Sequence, residues 1–212
     1  GGTTAGRSRP GRRRMRTGTR SRRLRVGLVS THPPETKGSM SRYAEIATAA
    51  LAASRDPEIE VRRIDLAGVL PSLPPQAIRF ANWMHHAFVA VNAALRRNVF
   101  HADVLHLIDG SHGYVAALLP RRPVVATSHD LIPFLQGRSA FDAPPPSAPA
   151  AWLIRSSVQA LRRVHRVIAD SGHTRQDLVS HGGLRAERIA VVPPSLAPPF
   201  LSEPQAGSTP DW

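Results

Sequence analysis

Three short polar stretches in this chain follow directly on apolar, β-branched runs, where side chains can meet a ligand instead of a core. The most complete is Ser128-His129-Asp130-Leu131-Ile132-Pro133, at the end of the run Val124 to Ser128. A histidine at a strand's carboxyl end can exchange hydrogen bonds with a ligand hydroxyl, and its backbone carbonyl can face a developing positive charge. Asp130 can orient the loop or accept a hydrogen bond from the ligand. Taken alone, His129 is also explained as a histidine that satisfies its own loop. Asp109-Gly110-Ser111-His112-Gly113 follows the run Val104 to Ile108. Polar groups beside two glycines suit the close approach of a polar ligand, and a turn capped by Asp109 accounts for the same residues. Asp170-Ser171-Gly172 follows Val167 to Ala169. Ser171 is suited to capping a helix that carries Leu178 and Val179 and stops at Gly182-Gly183. Arg175, one turn on, can meet an anion or stand solvated on the helix face.

The loop Thr31-His32-Pro33-Pro34-Glu35-Thr36-Lys37-Gly38-Ser39-Met40 lacks the three spaced glycines of a dinucleotide fingerprint. It also lacks the Gly-Lys-Ser/Thr order of a phosphate-binding P-loop, so nicotinamide enzymes and ATPases are disfavoured. His101 and His106 flank one strand without regular ligand spacing, and there is no cysteine, so this reading assigns no metal site and no disulfide.

The elements that position these loops read as alternating strands and helices. Leu24 to Ser30 is apolar enough to be a central parallel strand. A helix over Ser41 to Ser54 buries Tyr43, Ile46, Ala47, Ala50 and Leu51 on one face. Ile59 to Ile64 alternates as a more exposed strand, and Pro71 to Pro75 precedes a long helix from Gln76 to Asn98. On that helix Phe80, Met84, Phe88, Val91 and Leu95 form an apolar stripe, expected to pack into the core, with docking on a lipid surface as the other reading. A strand over Val104 to Ile108, a short helix over Tyr114 to Leu119, the strand Val124 to Ser128 and a helix from Ala150 to Val164 follow. Ile189 to Val192 is the last strand before Pro193-Pro194. Such alternation predicts an α/β fold with a doubly wound parallel sheet. Ligands then sit beyond the carboxyl ends of the strands, so the loops beginning at Ser30, Ile108, Ser128 and Ala169 carry the function.

With 212 residues the chain is one domain by length, and its net charge of +13 is unevenly placed. Ten arginines lie between Arg7 and Arg25, and the remainder holds 18 basic against 15 acidic residues. Residues 1–23 are mostly Arg, Gly, Ser and Thr without hydrophobic periodicity and are expected to be a disordered tail. Residues 201–212 are expected to be a second one, leaving 24–200 as the folded domain. The basic tail could bind nucleic acid, but no aromatic is interleaved to stack on bases, so nucleic acid is not the expected partner. No apolar run approaches the roughly 20 residues that span a bilayer.

The strand, serine, helix, strand order of Arg166 to Pro194 (IADS…ERIAVVPP) resembles the end of the first domain of a family 4 glycosyltransferase of GT-B architecture. His129-Asp130-Leu131-Ile132-Pro133 resembles the "HDLIP" signature of the same family. The loop from Pro33-Pro34 to Tyr43 is similar to the family's "PP…GG…Y" loop, with Gly38-Ser39 where two glycines are usual. The resemblance covers about Leu24 to Phe200. It implies a single Rossmann-like sheet, the N-terminal half of a GT-B fold. It further implies transfer of a sugar, with retention, from a nucleotide-sugar donor to a glycan or lipid-linked acceptor, without a cofactor or protein-bound metal. His129 would be the catalytic residue, facing the transferred sugar. Tyr43, Asp109, Ser111, Asp130 and Ser171 would line the acceptor side, and Gly38 and Ser39 would face the donor phosphates. The expectation is an acceptor half, truncated or encoded separately, inactive alone and completed by a C-terminal domain. It would work in the cytoplasm, with peripheral contact at the inner membrane face. A non-catalytic module that kept the acceptor cleft is the alternative, and a nucleic-acid-associated Rossmann protein is a third reading.

Overall fold

Leu24–Ser30 forms β1, and its second half is sealed from solvent, with Leu28 and Val29 at 0% exposure. An unbroken apolar run buried in this way belongs to a strand covered on both faces. The computed structural model describes residues 22–32, 39–53, 58–67, 78–95, 101–140 and 142–194. Within them β2 (Ile59–Asp65), β3 (Val104–Leu107), β4 (Val124–Ser128), β5 (Arg166–Ala169) and β6 (Ile189–Val191) join β1. All neighbours pair in parallel, in the order β2-β1-β3-β4-β5-β6. The chain steps from β1 outward to the edge strand β2 and then returns past β1 to β3. Sheet growth therefore reverses between β1 and β3, and the loops leaving those two strands diverge to open a crevice.

Helix α1 (Ser39–Ala53) lies over β1 and β2, closing a small core of Leu28, Ala44 and Ile108 with Tyr43 and Leu51 at its rim. The larger core holds Val29, Leu66, Val89, Ala93, Leu105, Leu107, Val115, Leu161, Val167 and Leu178. Helices α2 (Ile78–Leu95), α3 (Ile132–Gln136), α4 (Ala148–Leu161) and α5 (Gly172–Ser180) complete the lobe. Ser171 caps α5 as its sequence predicts, accepting from the Thr174 amide at 3.1 Å. Gly183, at φ +67°, turns the chain out of that helix.

Three expectations change. The apolar stripe of α2 faces outward: Met84, Phe88, Val91 and Leu95 are 43%, 42%, 54% and 75% exposed. The helix buries Val89 and Ala93 instead, and Asn92 donates to the Leu66 carbonyl at 2.9 Å. Small residues bring the helix close to its neighbour, so the bulkier face is left outside. The side chain of Phe80 lies outside the described residues. Second, the short helix expected over Tyr114 to Leu119 is a 3-10 helix over Gly110–Ala117, started early by the Asp109 cap. Gly113 makes that placement possible, because a Cβ there would lie 2.6 Å from the Ser157 carbonyl oxygen of α4. Third, the N-terminal boundary shifts. Arg22, assigned to the tail, donates to Asp103 Oδ1 at 2.7 Å, and Arg25 joins it, so Asp103 ties the start of β1 to that of β3. Residues 1–21 and 195–212, with most of both expected tails, lie outside the described residues.

Candidate functional site

Parallel pairing fixes which side chains meet at the carboxyl ends of the strands. Ser128 of β4 is in register with Ala169 of β5, so the next residues, His129 and Asp170, emerge side by side. The His129 Nδ1 lies 3.5 Å from Asp170 Oδ2, and its Nε2 lies 3.3 Å from the Ile108 carbonyl, to which it donates. The edge of the ring stands against Tyr43 of α1, centroids 4.6 Å apart at 82°. Thr174 fastens the loop from below: its hydroxyl contacts the His129 carbonyl and Asp170 Oδ1, each at 2.9 Å. His129 is thus held at the mouth of the sheet, 17% of its side chain exposed, and not in the apolar interior.

The crevice between β1 and β3 holds a second polar group. Asp109 is 5% exposed and divides its two carboxylate oxygens. Oδ1 accepts from the Ser111 amide at 2.8 Å, which starts the 3-10 helix. Oδ2 meets His32 Nε2 at 2.7 Å and His112 Nδ1 at 3.2 Å. His85 and His86 of α2 add two further imidazoles, with ring centroids 5.8 and 5.0 Å from that of His112. His86 Nδ1 pairs with Tyr114 Oη at 3.0 Å. Burial pushes the Asp109 carboxyl up, but hydrogen bonds from His112 and His32 outweigh it and hold the group well below the usual carboxylate range. Burial, reinforced by His112 and the other imidazoles, lowers His86 to about 4 and moves His85 the same way. Burial, with the Asp109 charge behind it, raises the Tyr114 phenol. A cavity of about 680 Å³ opens beside these rings, lined by His32, Trp83, His85, His86 and His112. It adjoins an apolar groove of about 660 Å³ between α2 and α4, flanked by Trp83 and Trp152.

The structure brings together some of the residues singled out from sequence and separates others. Tyr43 and His129 touch, and Asp109 with Ser111 sits at the head of the neighbouring strand. Ile108 joins the two groups, because its carbonyl receives His129 while the next residue is Asp109. Asp130 turns outward and accepts from the Ile132 amide at 3.0 Å, in the turn just before α3. The Ser171 hydroxyl is occupied with Thr174. Ser39 is the first residue of α1 and is exposed, and Gly38 lies outside the described residues. Sequence reasoning missed Asp170, Thr174, His32, His85, His86 and His112 as site residues. Asp170 was open to discovery, since adjacent parallel strands put their first loop residues together. The four histidines carried no such signal, because they converge from three separate parts of the chain.

Fold and site together define a Rossmann-like α/β lobe of the GT-B kind. The family model of Glycosyltransferase Family 4 matches residues 41–197, and the chain belongs to that family. Sucrose-phosphate synthase from Thermosynechococcus elongatus has a similar fold, with TM-score 0.57 and 16% identity over 81% of this chain and 48% of that one. This chain therefore spans about half the length of that relative. A second structure of that synthase aligns with TM-score 0.47 and 13% identity, over 81% of this chain and 90% of the other. A search of curated proteins finds no match. Among the described residues, no helix is long and apolar enough to cross a membrane.

Proposed function

We propose that this lobe is the acceptor side of a retaining glycosyltransferase, with a nucleotide-sugar donor held by a second lobe facing the strand ends. The observation that carries this reading is the fixed His129, aimed from the "HDLIP" loop between Tyr43 and Asp170 at the mouth of the sheet. With Nε2 donating to Ile108, Nδ1 is the ring atom left for a ligand. The 3.5 Å gap to Asp170 is too long for a good hydrogen bond and suits a sugar hydroxyl reaching both groups. In the transfer, the anomeric carbon's bond to the donor diphosphate breaks as its bond to the acceptor oxygen forms. The acceptor proton leaves on the diphosphate.

His129 fixes the sugar while positive charge develops at the anomeric carbon, and its backbone carbonyl is the nearest dipole of suitable sign. Tyr43 walls the ring on the α1 side. Asp109 and Ser111 face the acceptor, Asp130 and Ser171 hold the two loops in shape, and Gly38 with Ser39 meets the donor phosphates at the start of α1. Chemistry needs both lobes, since the acceptor must be held in reach of a donor gripped from the other side. The exposed Met84, Phe88, Val91 and Leu95 favour a lipid-linked acceptor, met with α2 resting on the membrane surface inside the cell. The test is transfer from a panel of nucleotide-sugars to polyprenyl-phosphate and oligosaccharide acceptors, using the lobe with and without a complementing second lobe. Transfer that depends on both lobes supports the proposal, and full turnover by this lobe alone overturns it.

A further inference from the structure

The three groups around Asp109 Oδ2 have a second chemistry that sugar transfer does not require. His32 comes from the loop after β1, Asp109 from the loop after β3 and His112 from the 3-10 helix. Each brings one ligating atom within 4.8 Å of the other two. We propose that His32, Asp109 and His112 form a binding site for a divalent transition metal ion of the zinc class, seated at the crevice where sheet growth reverses.

The donor set argues for that class of ion. Two imidazoles and one carboxylate suit zinc and its neighbours, whereas calcium and magnesium demand shells made of oxygen. Three protein ligands with a fourth position open is the arrangement of a zinc ion that also takes an outside ligand. Donors around a tetrahedral zinc ion stand about 3.3 Å apart. The His112–Asp109 separation of 3.2 Å already matches, and the 2.7 Å separation of His32 from Asp109 needs only a small spread.

Two further features set this cluster apart from an ordinary hydrogen-bonded turn. Asp109 is oriented by the Ser111 amide on Oδ1, which turns Oδ2 toward the two imidazoles, the kind of support that metal-binding carboxylates receive. His112 is 6% exposed, and its Nε2 is buried without any hydrogen-bond partner. Its engaged nitrogen is thus Nδ1, beside Asp109 Oδ2, which is the atom offered to the ion, and the ring faces the cavity shared with His32, His85 and His86. The open position of the ion faces that cavity, where a ligand oxygen or one of the two α2 histidines completes the shell. The site rests on contacts separate from those that hold His129, although it shares Asp109 with the acceptor side of the proposed reading.

Calorimetric titration of the full, chelator-treated chain with zinc, paired with the absorption spectrum of its cobalt(II) form, tests the proposal. One ion per chain should bind with micromolar or tighter affinity and give the intense visible bands of four-coordinate cobalt. His32→Ala and His112→Ala should each weaken binding about 100-fold or more while circular dichroism stays unchanged. His181→Ala, at an exposed histidine remote from the cluster, should leave it alone. Because Asp109 also starts the 3-10 helix, Asp109→Asn serves as a second ligand variant that keeps a capping oxygen. The proposal is overturned if no ion binds. It is equally overturned if His112→Ala and Asp109→Asn, both folded, bind zinc as the parent chain does.

Discussion

His129 and Asp170 stand one residue beyond the paired Ser128 and Ala169, so the sheet register brings them side by side, with their side chains 3.5 Å apart. Neither is held by a long loop. Each emerges from a buried strand, so the geometry is as stiff as the sheet that carries it. Thr174 then locks the loop of one to the carboxylate of the other.

Removing that lock should disturb transfer without harming the fold. Thr174→Val deletes the hydroxyl that contacts both the His129 carbonyl and Asp170, and Asp170→Asn keeps the shape while removing the charge. In the proposed two-lobed enzyme each should lower kcat about tenfold to a hundredfold with KM for the donor little changed. The double variant should be no worse than the weaker single, because both act through the same ring. Steady-state kinetics of the four proteins checks this.

Gly113 sits where the 3-10 helix meets α4, and a methyl group there would strike the Ser157 carbonyl. Gly113→Ala should destabilise the lobe by about 1–3 kcal/mol, read as a lower urea midpoint with an unchanged slope. The same substitution at Gly172, where an added Cβ meets nothing within 4 Å, should be close to neutral.

Acid should weaken the fold through His106. Burial lowers its pKa to about 4 from an ordinary value of 6.5, while its Nε2 contacts Thr127 Oγ1 at 2.8 Å. Between those values the unfolded chain takes up a proton that the folded chain refuses. The contribution is therefore full above pH 6.5 and is lost as the pH falls toward 4. His106→Gln keeps a partner for Thr127 and cannot titrate, so its stability should fall less than that of the parent between pH 7 and pH 4.5. Chemical denaturation at both values makes the comparison.

The outer face of α2 should decide membrane contact. Phe88→Glu and Val91→Glu change side chains that are 42% and 54% exposed, so thermal midpoints should hold. Each should weaken co-sedimentation with anionic vesicles about tenfold, the effect of withholding one large apolar side chain from the bilayer surface. Equal sedimentation of parent and variants would remove the membrane from the account.

Most of the scaffold was legible in the amino-acid order, for reasons visible at particular residues. Leu24–Ser30 and Val124–Ser128 are short, mostly apolar runs with no competing helical period, and both strands lie where the pattern placed them. Ser171 and Gly182-Gly183 are local signals that need no partner to act, and α5 starts and stops by them. The face of α2 was not legible, because the stripe through Met84, Phe88, Val91 and Leu95 is as apolar as a core face and only the packed structure shows Val89 and Ala93 buried instead. The helix α3 went unseen because Pro133, within its first turn, reads equally well as a break. His129 and Tyr43 were singled out from their motifs and do meet in the fold, whereas the meeting of His32 with Asp109 depends on strand order. Positions 32 and 109 become neighbours only because β1 and β3 pair.

The most direct measurement is the rate of sugar transfer by the His129→Ala form of the proposed two-lobed enzyme, compared with its parent at saturating donor and acceptor. The account predicts a fall in kcat of about 100-fold or more, with the circular dichroism spectrum and urea midpoint of the lobe preserved. A folded His129→Ala enzyme that transfers sugar at the parental rate would contradict it.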